Sequence, residues 1–179
     1  MGVLRLVPIH CGTRAPLLGR LGERLQQTFG LEVQHVPPGF DCERAFDTSR
    51  GQYNSRILLA QLLQDTPPDV TRVLAVAGVD LFIPVLTYVF GEAQLGGRAA
   101  VVSMHRLDDE IYGLPANPKR LFQRLCTEAV HELGHTFNLV HCHEYSCVMT
   151  SSTYVEDIDL KSDAFCRDCR AAVRAAAVR

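Results

Sequence analysis

The sequence predicts a single α/β domain built around a mixed β-sheet, and three stretches carry that prediction. The first third reads strand–helix–strand, a pattern that places two parallel strands on either side of a crossover helix. Residues 73–79 are apolar on both faces, which suits a central strand of a covered sheet. Residues 85–90 and 99–104 are two more strand candidates. They flank a loop, 91–97, rich in the residues that turns need, so they are candidates for antiparallel neighbours, with one of them at a sheet edge. At 179 residues the chain has the size of one domain with a substantial core. Within 1–179, residues 1–116 supply the sheet and its supporting helices, and 117–179 carry the candidate site.

In chain order, residues 3–9 form a short apolar run with branched side chains, read as a buried strand that stops near Pro8. Leu17, Leu18, Leu21, Leu25 and Phe29 make a helical stripe across 15–29, and Gly30 ends it. Residues 31–36 alternate and form a second strand, closed by Pro37, Pro38 and Gly39. Residues 40–52 are polar and irregular and read as loop. Ile57, Leu58, Leu62 and Leu63 give 54–64 a helical face, which ends before Pro67 and Pro68. Residues 80–84 read as a turn and 105–115 as a loop. Asn117 and Pro118 then look like an N-cap followed by a proline at the first helical position. Leu121, Phe122, Leu125, Ala129, Val130 and Leu133 supply that helix with its apolar face. Residues 142–162 show no period and read as a metal-braced loop. A C-terminal helix is expected from Asp163 onward, through the alanine-rich stretch 170–179.

Composition narrows the function. A hydrophobic content of 47% with 21% charged residues is that of an ordinary globular chain, and a formal charge of −2 argues against a nucleic-acid or membrane surface as the main partner. Residues 1–8 are too short and too interrupted for a signal peptide, and Leu6 stands where a myristoylation motif needs Ser or Thr. No apolar run reaches about 18 residues, the length a membrane span requires. The expected setting is therefore the cytoplasm and the default assembly a monomer. Thiols stay reduced in that compartment, so clustered cysteines more often hold metal than form disulfides.

The chemistry concentrates at residues 131–142. His131 and His135 are four apart, so on a helix they share a face and direct imidazole nitrogens at one point, as two zinc ligands. Glu132 follows the first of them. It sits about 100° round the helix, placed to reach a water on the metal rather than the metal itself. Zinc lowers the pKa of a bound water from about 15.7 to roughly 7, and a carboxylate takes the proton as water attacks a carbonyl. His141 is the informative third residue. On an unbroken helix it would stand about 15 Å beyond His131, so the helix must end before it and the chain must turn back. Asn138 lies where the turn is needed, and Asn tolerates the left-handed conformation better than any residue except Gly. Three protein ligands and a water make an open, catalytic zinc site. The competing readings are ordinary helix and loop histidines, and His143 in place of His141, at a longer offset from His135.

Cys142, Cys147, Cys166 and Cys169 form two pairs. Four thiolates close a tetrahedron around zinc and leave no open position, which is a structural site. Such a zinc would clip the C-terminal helix to the loop below the catalytic ion. The alternatives are a redox pair at Cys166 and Cys169, or free thiols. Cys11, Cys42 and Cys126 stand alone and read as core or loop residues.

Taken together, His131-Glu132-x-x-His135-x-x-Asn138-x-x-His141-Cys142, Cys147-Val148-Met149 and Cys166-x-x-Cys169 resemble the archaemetzincins, a branch of the metzincin metalloproteases. The resemblance implies a metzincin-like fold: a twisted, mostly parallel sheet with an antiparallel edge strand that binds extended peptide, an active-site helix and a C-terminal helix. Either 85–90 or 99–104 is the candidate for that edge. It implies two zinc ions, a catalytic one on His131, His135 and His141 and a structural one on the four cysteines. Glu132 becomes the general base, and Met149 the Met-turn residue, a thioether floor under the metal. The family pattern has Gly at the position of Asn138; Asn is expected to tolerate the turn, and metal binding to survive. Tyr145 and Tyr154 do not match the position of a carbonyl-polarising Tyr and read as structural. The expected activity is hydrolysis of peptide or protein substrates. The alternative of a different class is a latent, non-catalytic zinc-binding module that only binds peptides, and a third reading is an interaction domain braced by the cysteine site alone.

Overall fold

A computed structural model describes residues 2–177; Met1, and with it Val178 and Arg179 at the end of the expected C-terminal helix, lie outside the described residues. In chain order the elements are β1 (Val3–Ile9), α1 (Leu17–Phe29), β2 (Glu32–His35), β3 (Phe46–Asp47), β4 (Gln52–Asn54), α2 (Ser55–Asp65), β5 (Arg72–Ala77), β6 (Leu81–Phe82), β7 (Gly91–Ala93), β8 (Ala99–Ser103), α3 (Pro118–Thr136), α4 (Val155–Leu160) and α5 (Arg167–Ala177). The main sheet runs β2-β1-β5-β8-β7. Its first four strands are mutually parallel, and β7 lies antiparallel against β8 at the edge.

Side-chain alternation divides the core into two layers. Leu4, Leu6, Leu74, Val76, Ala100 and Val102 point to the face covered by α1 and α3. Val7, Ile9, Val73, Ala75, Ala77, Ala99 and Val101 point to the face covered by α2. Strands β5 and β8 are buried on both sides, which is why they read as unbroken apolar runs rather than as alternating ones. Pro8 does not end β1, which continues to Ile9 opposite β5. The pairing of β1 with β2 stops at Leu6, where Val36 N donates to Leu6 O. Pro8 points the same way as Leu6, so its missing N–H faces a side with no strand to bond.

The helix ends follow local chemistry. Gly30 adopts φ 67°, and its N–H caps α1 on Gln26 O. The Asn54 side chain accepts from Arg56 N at the start of α2. At the start of α3, Asn117 accepts from Arg120 N at 3.0 Å, with Pro118 in the first turn.

The structure corrects several expectations. Neither 85–90 nor 99–104 is the antiparallel edge: β8 is interior and parallel to β5, and the edge is β7, inside the stretch read as loop. Segment 85–90 is apolar because most of it lines a cleft; its backbone contacts with strands are the bridge from Val89 to Leu81 and, at its last residue, the bond from Ser103 N–H to Phe90 O. Within 40–52 and 80–84, read as loop and turn, lie the strands of a second small sheet, β3-β4-β6, and its β4 runs on to Asn54, the residue read as the start of the second helix. Segment 142–162 is not wholly irregular, since α4 occupies its end, and α5 begins at Arg167 rather than at Asp163. The loop 105–115 contains two 3-10 turns.

Candidate metal centres and active site

Helix α3 lies against β8 and β7 and buries nearly its whole second half. It stops at Thr136, and the stop is built in detail. Asn138 takes φ 66°, its N–H bonds His135 O at 2.9 Å, and Leu139 N–H bonds Gly134 O at 3.2 Å. That pair of bonds is a Schellman motif, which turns the chain back across the helix end. Arg72, on the central strand β5, stacks over Phe137 and donates to the Thr136 carbonyl, placing a cation at the negative end of the helix dipole.

The reversal brings His141 back to His131 and His135. The three ring centroids lie 4.7, 5.1 and 5.4 Å apart. His131 Nε2 and His135 Nε2 are 3.1 Å apart. The outer nitrogen of each points to a backbone carbonyl: His131 Nδ1 to Val148 O at 2.8 Å, and His135 Nδ1 to Leu139 O at 2.7 Å. With Nδ1–H engaged in this way, the Nε2 lone pairs converge on one point and meet no donor there. Two nitrogens on a tetrahedral zinc would stand about 3.4 Å apart, so the donor set fits the ion. Burial, then the Lys161 ammonium, holds the His131 imidazole well below its ordinary pKa, and His141 is lowered for the same reasons. Neutral rings are what a cation requires. His143 is exposed and takes no part in the cluster.

Glu132 is buried beside the triad and lines a cleft of about 770 Å³. Burial, then the neighbouring Glu128, pushes its carboxyl well above the usual range, while Lys161 pulls the other way. A carboxylate of raised basicity is a better proton acceptor. The edge strand touches it directly. A Cβ on Gly91 would fall 2.6 Å from Glu132 Cγ and 2.7 Å from Val101 O, so only glycine lets β7 lie this close to both neighbours. Met149 is fully buried and fits under α3 in the same manner, because a Cβ on Gly134 would fall 2.4 Å from its sulfur.

The four cysteines assemble on the far side of His141. Their sulfurs lie within 4.8 Å of one another, with Cys142 and Cys166 3.9 Å apart. Tetrahedral zinc would hold thiolates about 3.8 Å apart, and a disulfide would need about 2.05 Å. Glu144 N–H donates to Cys142 Sγ and Cys166 N–H to Cys147 Sγ, both at 3.4 Å, donors of the kind that steady thiolates. Cys11, Cys42 and Cys126 are buried and separate.

Sequence reasoning missed three features of the cleft. Tyr154, read as structural, stands on the cleft wall, whereas Tyr145 does not. Gly91 carried no signal beyond its place in a glycine-rich loop. Glu128 showed only as one more residue of α3, although it lines the cleft.

A helix that offers two imidazoles and a carboxylate to a cleft, with a third imidazole returned to them by a built turn, defines the zinc metallopeptidases. The comparisons agree. The model of peptidase family M54 matches residues 33–175, and the chain belongs to that family. It is 44% identical to the archaemetzincin of Methanocaldococcus jannaschii over 86% of this chain and 83% of that protein. The crystal structure of the Methanopyrus kandleri archaemetzincin superposes with a TM-score of 0.85 at 34% identity, over 99% of this chain and 96% of that one. A zinc-dependent peptidase from Methanocorpusculum labreanum gives 0.80 at 28% identity, over 95% and 99%. Among the described residues no helix is long and apolar enough to cross a membrane.

Proposed function

We propose that the chain hydrolyses peptide bonds, with Glu132 as general base, His131, His135 and His141 as ligands of a catalytic zinc, and Cys142, Cys147, Cys166 and Cys169 as ligands of a second, structural zinc. The observation that carries this reading is the placement of Glu132. Its carboxylate is buried at the cleft, next to three clustered imidazoles and against the edge strand. A zinc at the imidazoles supplies Lewis acidity, which acidifies water and polarises a carbonyl.

The residues divide the remaining work. Strand β7 lies at the sheet edge along the cleft, and its backbone offers an extended peptide a strand to pair with. Pairing there would lay the scissile carbonyl across Glu132 and the histidines. Glu132 takes a proton from the attacking water and passes it to the departing amine, so the carboxylate is regenerated at each turnover. Val148 O and Leu139 O keep the rings oriented throughout. Met149 supports the helix turn from below, and the cysteine site anchors the loop that carries His141.

The test has two arms. Native mass spectrometry of the wild type should find two zinc ions per chain, falling to one in His135→Ala. Glu132→Ala should keep both ions and lose peptide cleavage by about 10²–10⁴-fold, the usual worth of a general base. Cleavage that survives Glu132→Ala removes this mechanism. A wild type that binds both ions and peptides yet cleaves nothing favours the latent binding module.

A further inference from the structure

Lys161 is a buried cation that the proposed reaction does not use. It stands directly after α4, and 2% of its side chain is accessible. Its ammonium makes two contacts. One is an ion pair and hydrogen bond to Glu128 Oε1 at 3.0 Å, on a side chain 4% accessible. The other is a hydrogen bond donated to Thr150 O at 2.9 Å. The choice of lysine is informative. Of the 18 basic residues in the chain only Lys119 and Lys161 are lysines, and the rest are arginines. An ammonium turns its donors to a carboxylate on one side and a carbonyl on another, whereas a guanidinium is a planar fork. Stability alone does not explain the pair, because apolar side chains often replace buried ion pairs without loss.

The partners of Lys161 show what it joins. Glu128 lies on α3, one turn before Glu132. Thr150 immediately precedes 151–154, a segment that lines the cleft. The three residues leading into that segment each hold to α3. Val148 O meets His131 Nδ1, the Met149 sulfur packs under Gly134, and Thr150 O reaches Glu128 through Lys161. The third attachment is the one beside the cleft lining. At the other end of the segment, Thr153 O accepts from Tyr88 OH at 3.1 Å, an exposed contact.

We infer that Lys161 is a positioning residue for substrate: braced on Glu128, it fixes the start of the cleft wall 151–154 against α3 and so sets the distance between that wall and Glu132. Substrate groups that pack on the wall are thereby held over the histidines. The inference rests on the peptide-hydrolysing reading of the cleft and names a residue that serves it without touching the substrate.

Lys161→Met by itself would leave Glu128 buried without its charge partner, a strongly destabilising change whatever the role of the lysine. The pair is therefore removed as a unit. Glu128→Met together with Lys161→Met should keep the zinc content and come close to the wild-type melting temperature. KM should rise about 5- to 10-fold, the net worth of one hydrogen bond. The value of kcat should stay within about 2-fold, since the wall holds substrate and not the reacting groups. Glu128→Gln with Lys161→Met, which keeps a polar side chain of the original size, repeats the measurement and should give the same rise. Glu128→Gln alone keeps both an acceptor for the ammonium and the bond to Thr150 O, so it should recover most of the loss in KM. A merely structural pair predicts a wild-type KM wherever the melting temperature is wild-type, and that result overturns the inference. So does a fall in kcat at constant KM, which would place the effect on the reacting groups. Equal impairment in Glu128→Gln and the double variants also overturns it, because the Glu128 charge and not the tie to Thr150 would then matter. The same comparison is made by peptide titration onto the zinc-loaded chain carrying Glu132→Ala, where Kd should rise as KM does. A wild type that binds those peptides and cleaves none removes the peptidase reading and leaves the titration to decide the role of Lys161.

Discussion

At the scale of single residues, the site depends on where side chains are missing as much as on where they are present. Gly91 has no side chain, so β7 can press against Glu132. In Gly91→Ala the new methyl meets both the Glu132 side chain and the backbone oxygen of Val101, and the second cannot swing away. Either the strand moves out or the carboxylate is displaced. A misplacement of about 1 Å can cost two orders of magnitude in rate. Gly91→Ala should therefore lower kcat/KM by about 10- to 100-fold while native mass spectrometry still finds both zinc ions. Activity at the wild-type level would show that Glu132 is free to shift and that its contact with the edge strand is incidental. The local spacing of His131, Glu132 and His135 was legible in the sequence because a helix converts an offset of four into a shared face. Gly91 was not, because what it avoids lies on another element. The same holds for Glu128 and Lys161, which are far apart in the chain and meet only in the folded protein.

At the scale of elements, the end of α3 decides whether His141 arrives. The demand for a break before His141 came from helix geometry, and the structure meets it with Asn138 at φ 66°. For most residues that conformation costs roughly 1–2 kcal/mol, Gly being free of the penalty and Asn partly so. Asn138→Gly should hold stability within about 0.5 kcal/mol of the wild type. Asn138→Val should lose about 1–2 kcal/mol and weaken the zinc held with His141, measured by urea unfolding and by competition with a chelator. Equal stability in both variants would mean that the turn does not need the left-handed residue. Edge strand β7 makes the contrasting case. Its three residues, Gly-Glu-Ala, carry no alternation, and β8 imposes their strand form by pairing. Segment 85–90 has the apolar character of a strand, yet it mostly faces a cleft instead of joining the main sheet. Composition reports burial or contact with a ligand surface equally well, so periodicity alone could not separate the two.

At the scale of the whole molecule, the two candidate metal sites are joined at the adjacent residues His141 and Cys142, and they hold different amounts of the fold together. The cysteine cluster links the loop after α3 to the start of α5, and Cys142 N–H bonds Met149 O within the same loop. Loss of a metal bound there would free both the loop and the last helix. The histidine cluster adds less of this kind. Two of its ligands lie on α3, which is already fixed by the core, and the third is set by the Schellman turn. Each lost kcal/mol lowers the melting temperature of a chain this size by about 2–4 °C, and a structural zinc site contributes several kcal/mol to folding. Cys169→Ser should thus lower the melting temperature by about 10 °C or more and cost one zinc ion. His141→Ala should cost the other ion and no more than a few degrees. Calorimetry of the two variants beside the wild type, with zinc counted in each, compares the sites directly. If His141→Ala melts as early as Cys169→Ser, the division into a catalytic and a structural ion is wrong, and both metals belong to the scaffold. If neither variant melts early, the core formed by β1, β5, β8, α1 and α3 stands without metal, and the cysteine site serves to aim His141 rather than to hold the fold.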